Sequence, residues 1–267
     1  MLQSEDLQER YERYKAKIKN FTIMNDIFMR NVLKKKECTE YILQVIMEDE
    51  GITVIDQTLQ KDYKNLQGRS AILDCVAKDA SNRQFNVEIQ GDNEGASPKR
   101  ARYHCGLLDM NILNPRESFD ALPDTYVIFI TEHDKYGAGL PLYHVERTVT
   151  ELQHTTFGDG AHIIYVNGAF RDLKHPVGRL MHDMNCTDPN KMLNPLLAKE
   201  VRYLKETEGG RSQMCRAFEE VARESARDAE YQKAVRTAKK MLALGQLNLE
   251  TIAECTELSL DEVKALA

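Results

Sequence analysis

The sequence has no tryptophan, no long apolar run, no CxxC pair and no excess of positive charge. Its six cysteines are far apart, so we expect reduced thiols rather than a disulfide framework. Its seven histidines form no ligand cluster, which argues against a zinc site. No stretch approaches the length of a membrane span, and the densely charged residues 1–20 lack the apolar core of a signal peptide. We therefore expect a cytoplasmic protein.

Two strand-like segments on either side of a short polar turn carry the most informative residues. Residues 71–77 are apolar at successive positions, as in a strand buried on both faces, except for Asp74 in the middle. Residues 85–90 alternate between apolar and polar side chains, with Glu88 on the polar face. Residues 79–83 between them are typical of a hairpin turn. A three-residue loop would place Asp74 directly across from Glu88, whereas a slip of one residue would turn them to opposite faces.

Two carboxylates that face each other across an antiparallel pair repel, so this arrangement makes physical sense mainly with a cation between them. Oxygen ligands of this kind suit Mg2+, Mn2+ or Ca2+ rather than zinc. An ion with few protein ligands keeps waters, one of which can be activated as a nucleophile. The alternative is that both acids are solvated surface groups, as acidic residues on strands usually are.

The run Leu73-Asp74 followed by Val87-Glu88-Ile89-Gln90 resembles the PD-(D/E)XK nuclease superfamily, specifically the Rpn-type recombination-promoting nucleases, also called PD-(D/E)XK family transposases. Upstream, four residues are similar to that family's Asp-x-x-Phe-Lys-x-x-Phe opening: Asp26, Met29, Arg30 and Leu33. Downstream, three segments resemble its Arg-rich helix start and its later core strands: 98–103, 126–130 and 162–167. The resemblance covers roughly residues 22–205.

The resemblance implies an α/β fold with a restriction-endonuclease-like PD-(D/E)XK core, in which helices flank a mixed sheet. It implies a divalent-metal-dependent DNA endonuclease that hydrolyses phosphodiester bonds and is linked to recombination or mobile elements. Asp74 and Glu88 would anchor the metal, and the backbone carbonyl of Ile89 would add a ligand.

Three further residues bear on that activity. Gln90 stands where the superfamily has Lys, which removes a cation but leaves an amide that could orient the water or the scissile phosphate. The resemblance points to Asp26 as a third acid, whereas Glu40 on the following amphipathic helix has suitable chemistry too. The Gln at position 90 also keeps a rival hypothesis open, in which a degenerate nuclease fold acts as a nucleic-acid-binding or assembly module.

The formal net charge of −6 argues against a protein that binds nucleic acid with its whole surface. It is compatible with a nuclease, because backbone phosphates need only a local basic rim. We expect Arg100 and Arg102 to supply it, since a helix that begins near Pro98 would start close to the acidic site. Alternatively, Arg102 pairs with Asp92 or Glu94 as a structural bridge.

The hydrophobic pattern predicts an alternation of helices and strands. The predicted helices are 4–19, 25–35, 37–48, 98–112, 176–184, 195–207 and 212–244. The predicted strands are 53–60, 70–78, 84–90, 125–131, 141–148 and 162–167. Gly209-Gly210 predicts a boundary between a nuclease-like domain, 1–208, and a helical extension, 209–267.

The tail, residues 249–263, resembles a helix-turn-helix with Ser259 as N-cap. Its second helix is acidic rather than basic, and Glu257 replaces the usual Gly in the turn. We therefore expect this extension to pack or to form a homo-oligomer rather than to read DNA bases. A second rival hypothesis makes assembly through these helices the protein's main role.

Overall fold

The computed structural model describes residues 2–63, 71–90 and 95–267. The chain divides into two compact units, Met1–Met214 and Cys215–Ala267. The helices are α1 (Leu2–Ile18), α2 (Asp26–Val32), α3 (Lys36–Met47), α4 (Pro98–Met110), α5 (Pro176–Met184), α6 (Pro195–Glu206), α7 (Glu208–Leu244), α8 (Leu249–Thr256) and α9 (Leu260–Leu266). The strands are β1 (Val54–Tyr63), β2 (Ala71–Asp79), β3 (Gln84–Gln90), β4 (Thr125–Thr131), β5 (Leu142–Val145), β6 (Thr148–Val149), β7 (Thr155–Thr156) and β8 (Ala161–Asn167). Within the described residues, no helix is both long and apolar enough to span a membrane.

Six strands form a mixed sheet in the order β1-β2-β3-β4-β8-β5. Strands β1, β2 and β3 are antiparallel, β3, β4 and β8 are parallel, and β5 returns antiparallel to β8. Strand β1 continues to Tyr63, beyond the predicted end at residue 60, and β5 is shorter than predicted. The sequence did not predict the small β6–β7 hairpin. The sheet and its flanking helices confirm the predicted α/β class.

Helix α4 makes the crossover that joins the parallel strands β3 and β4, which two strands of this kind require. Pro98 occupies its first turn, as the sequence predicted, and the Ser97 side chain caps it. The helix packs on Val127 and Phe129 of β4. The β3–β4 register pairs Asn86 with Val127 and Glu88 with Phe129, so the polar face of β3 lies on the face that α4 covers.

The β2–β3 hairpin has the predicted register. Cys75 pairs with Val87, and the amide of Asp79 donates to the carbonyl of Arg83 across a three-residue loop. The turn is fixed by the Asp79 carboxylate, which is buried and accepts hydrogen bonds from the amides of Ser81 and Arg83. Continued by one step, this register brings Asp74 opposite Glu88.

Helix α7 begins at Glu208 and passes through Gly209 and Gly210, so the predicted helix start at 212 was too late. Glycine is needed at position 210 because α7 packs closely against α6 there, and it does not interrupt the helix. A Cβ atom on Gly210 would lie 2.0 Å from the carbonyl oxygen of Tyr203 in α6, a distance that excludes a side chain there.

In the unit Cys215–Ala267, the C-terminal part of α7 packs with α8 and α9 around four buried residues: Ala238, Ile252, Leu258 and Val263. Ser259 is the N-cap of α9 and forms a capping box with Glu262, which confirms its predicted role. Glu257 adopts the left-handed backbone conformation at the turn, with φ 58°, where glycine is usual.

Candidate active site

Asp74 and Glu88 meet between β2 and β3. The backbone amide of Asp74 lies 3.4 Å from Oε1 of Glu88. Glu88 is 0% exposed, while Asp74 is half-buried. The sequence left open whether the two acids were solvated surface groups, and this burial rules that out for Glu88.

Burial and mutual repulsion disfavour the charged forms of both acids. Burial, followed by the charges of Glu88 and Asp26, raises the pKa of Asp74 to about 7. Burial also raises the pKa of Glu88, and hydrogen bonds together with the positive charge of Arg100 partly oppose that rise. A cation bound between two acids that are difficult to ionise together would relieve their repulsion.

Several donors converge on Glu88. Asn86, which is fully buried on the same face of β3, donates from Nδ2 to Oε1 at 3.1 Å. Nη2 of Arg100, in the first turn of α4, donates to Oε2 at 3.0 Å. Nε2 of Gln90 lies 3.5 Å from the same oxygen, a long contact. The site therefore contains a cation beside Glu88, and it comes from α4 rather than from position 90.

A histidine completes this group. His104 is 2% exposed and lies one helical turn after Arg100, with Nδ1 3.5 Å from Oε1 of Glu88. Arg100 donates from Nε to His104 Nε2 at 3.4 Å. Burial and the charge of Arg100 lower the pKa of His104 to about 4, so the ring is neutral at physiological pH.

The Asp74 side of the site is organised by two other elements. Gln60 on β1 donates from Nε2 to Asp74 Oδ1 at 3.0 Å, and its backbone has a φ of 52°. Asp26, in the first turn of α2, is close enough for its charge to raise the pKa of Asp74. Both oxygens of Asp26 accept from Arg30, with Nε to Oδ1 at 2.8 Å. The structure thus brings Asp26 to the site as half of an ion pair.

Glu40 lies away from the site, whereas Ile89 is adjacent to it. Glu40 accepts a hydrogen bond from the backbone amide of Val54 at 2.9 Å, at the start of β1. The residue of β1 that lies opposite Asp74 is Gln60, six positions further along the strand. Glu40 is therefore about 20 Å from the site. Ile89 follows Glu88 with its side chain buried on the opposite face.

Arg102 is exposed two positions after Arg100, a spacing that points two helical side chains in different directions. Its alternative partners, Asp92 and Glu94, lie outside the described residues.

Comparison with protein families gives one match. Residues 27–241 match the model of the family described as PD-(D/E)XK nuclease family transposase. This chain belongs to that family. Comparison with curated proteins and with solved structures found no match. The matched residues contain the β2–β3 hairpin and α4, whereas Asp26 lies one position before them.

The donor set of this family member fits a hard divalent ion. Asp74 and Glu88 offer carboxylate oxygens, which Mg2+ and Mn2+ prefer over sulfur or nitrogen. Among the residues that the structure describes, no three His, Cys, Asp or Glu side chains form a ready-made ligand group. An ion held by two carboxylates would therefore keep several of its waters, as Mg2+ usually does.

Sequence reasoning missed three residues of this family member's site: Gln60, Asn86 and His104. Asn86 and His104 carried weak signals, since Asn86 shares the polar face of β3 with Glu88 and His104 is four residues after Arg100. Gln60 carried none, because its position depends on how β1 pairs with β2.

Proposed function

We propose that this member of the PD-(D/E)XK nuclease family is a divalent-metal-dependent endonuclease that hydrolyses DNA phosphodiester bonds. The observation that carries the proposal is the pair of apposed acids, Asp74 and Glu88, whose pKa values are both raised. A fold seldom keeps two facing carboxylates in a partly buried position unless a charge is to be bound there.

Asp74 and Glu88 would hold the ion, and the backbone carbonyl of Ile89 would supplement them. Asp26 is the better candidate for a third acid, because its charge acts on Asp74 whereas Glu40 is bound to the start of β1. Mg2+ or Mn2+ suits these oxygen ligands, and Ca2+ would bind without strict geometry. When bound, such an ion supplies a nucleophilic water at neutral pH and stabilises negative charge on the phosphate.

The side chains of the protein would orient the DNA and the water. Gln90, at the end of β3, would hydrogen-bond the water or the scissile phosphate. Arg100 is 39% exposed and uses Nη2 and Nε within the site, so its remaining donors are available to a phosphate oxygen. Arg102, exposed on the same helix, would contact the backbone further from the cut.

Cytoplasmic location, a link to recombination or mobile elements and self-association through the C-terminal helices are further parts of the proposal. The second unit is helical and its α9 begins with two acids, Asp261 and Glu262, which favours protein contacts over base reading.

The alternative is a degenerate nuclease that binds nucleic acid without cutting it. Gln90 favours this alternative, because it replaces a cationic residue and makes only a long contact with Glu88. Metal binding without turnover would support it.

The deciding experiment is cleavage of supercoiled plasmid by the purified protein with Mg2+, with Mn2+ and with EDTA. The natural chain is compared with Asp74→Ala and with Asp56→Ala, a control that removes an exposed acid from the neighbouring strand β1. Circular dichroism checks that each variant is folded. Nicking that needs both the metal and Asp74, and that survives in Asp56→Ala, supports the proposal. Equal cleavage by Asp74→Ala would refute the site assignment.

A further inference from the structure

His104 is the buried titratable residue of this region to which the proposed reaction assigns no role. It projects from α4 toward the polar face of β3, where its ring lies 5.9 Å from that of Phe129. One ring nitrogen faces Glu88 and Asn86, and the other faces Arg100. Each ring nitrogen therefore lies within 3.5 Å of a polar group of the site.

The chemistry of Arg100 fixes the tautomer. A guanidinium can only donate hydrogen bonds, so His104 Nε2, which lies 3.4 Å from Arg100 Nε, must present its lone pair. The single proton of the neutral ring is then on Nδ1. Two groups face Nδ1, namely Asn86 Nδ2 at 3.3 Å and Glu88 Oε1 at 3.5 Å. The amide nitrogen can only donate hydrogen bonds, so the carboxylate oxygen is the one acceptor of the two for a proton on Nδ1.

We propose that His104 is a positioning residue that bridges Arg100 and Glu88, donating from Nδ1 to the carboxylate and accepting at Nε2 from the guanidinium. The inference rests on the proposed function, since it assigns His104 to the support of a metal ligand. It requires no change in the charge of the ring.

The geometry explains why a bridge is needed. Oε1 of Glu88 accepts from Asn86 and from the Asp74 amide and faces His104 Nδ1, while Oε2 accepts from Arg100, so groups on both sides hold the plane of the carboxylate. Arg100 is 39% exposed and has a long, flexible side chain, so contact with a buried ring restricts where its head can lie. Outer partners of this kind typically contribute about 10- to 100-fold to metal affinity or activity.

Three substitutions separate the two hydrogen bonds from packing. His104→Asn can keep a donor near the Nδ1 position, His104→Gln can keep an acceptor near the Nε2 position, and His104→Phe keeps the ring but removes both nitrogens. His144→Phe, at an exposed histidine on β5, is the matched control. Thermal melts establish that all four proteins are folded.

Calorimetric titration with Mn2+ in the absence of DNA gives the first readout. We expect His104→Phe and His104→Gln to lose about ten-fold or more in Mn2+ affinity. We expect His104→Asn to recover most of it and His144→Phe to match the natural chain. Equal affinity in His104→Phe and the natural chain would overturn the inference, as would an Asn variant no better than the Phe variant. If the natural chain itself binds no Mn2+, the proposed function fails, and this differs from the pattern that refutes His104 alone.

The second readout does not depend on metal. Nitrogen-15 NMR of histidine-labelled, metal-free protein reports which ring nitrogen carries the proton. A resonance pattern for His104 with the proton on Nδ1 supports the bridge. A proton on Nε2 would contradict it, because the contact with Arg100 would then join two donors.

Discussion

Replacing Asp74 with Asn should make the metal-free protein more stable while abolishing its metal-dependent activity. The natural side chain is an acid that the fold holds in an unfavourable charged state near Glu88. Asn has nearly the same shape, and its oxygen can still accept the hydrogen bond from Gln60 Nε2. The substitution therefore removes the charge and leaves the packing in place.

The magnitude follows from the pKa of Asp74, which is raised from 3.8 to about 7. Because the folded chain holds this proton more tightly than the unfolded chain, stability is lost as the pH rises from about 4 to about 7. At pH 8, where the folded chain holds a charged carboxylate, the cost to the folded state is about 4 kcal/mol. At pH 5 the folded side chain is protonated while the unfolded one is ionised, and the cost of taking up that proton is about 2 kcal/mol. Small rearrangements around the charged Asp74 side chain reduce this cost. We therefore expect Asp74→Asn to increase the free energy of unfolding of the metal-free protein by about 2–4 kcal/mol at pH 8 and by less at pH 5.

The assay is urea unfolding in EDTA at both pH values, followed by circular dichroism. The control is Asp56→Asn, an exposed acid on β1, which should change stability by no more than about 0.5 kcal/mol. Saturating Mn2+ should then stabilise the natural chain but not Asp74→Asn, since a ligand stabilises the folded state that binds it. The reasoning is refuted if the variant is less stable than the natural chain at pH 8, or if the difference does not shrink at pH 5.

Three other perturbations test separate parts of the structure. The charge of Arg100 lowers the pKa of Glu88, so Arg100→Ala should shift Mn2+ uptake to higher pH; titrations at several pH values that give an unchanged midpoint would contradict this. Ser259→Ala should destabilise the C-terminal helices by about 1 kcal/mol, measured by thermal unfolding, because it removes the capping box. Gly210→Ala should lower the Tm markedly, because its Cβ would lie 2.0 Å from a backbone carbonyl of α6, whereas Gly209→Ala, whose nearest neighbour is a side-chain hydroxyl at 3.4 Å, should be tolerated.

The hairpin that carries the site could be predicted because its information is local. Turn residues 79–83 set the loop length, the loop length sets the register, and the register brings Asp74 opposite Glu88. The family resemblance further predicted a mixed α/β sheet and a helix that begins near Pro98, and the structure contains both.

What surrounds the hairpin could not be predicted from the same patterns. The alternation in β3 separates Asn86 and Glu88 from the apolar face, but it does not say whether water or a helix covers them. In the structure α4 covers them, and His104 and Arg100 belong to the face that does so. Gln60 is the last residue of the predicted strand, and it reaches Asp74 because β1 pairs with β2 in a register that the sequence does not reveal.

The donors around Glu88 explain how the metal-free fold tolerates this site at all. A fully buried carboxylate without partners would unfold the protein or remain protonated. Asn86 and Arg100 both lower the pKa of Glu88, yet the pKa of that residue still lies above its ordinary value. Asp74 has a hydrogen bond from Gln60 and the more distant charge of Arg30, and its pKa also stays high. Protein contacts thus favour the ionised pair without fully stabilising it, so a bound cation would be the most effective additional partner. The metal-free protein loses folding stability by keeping two acids that would bind the ion.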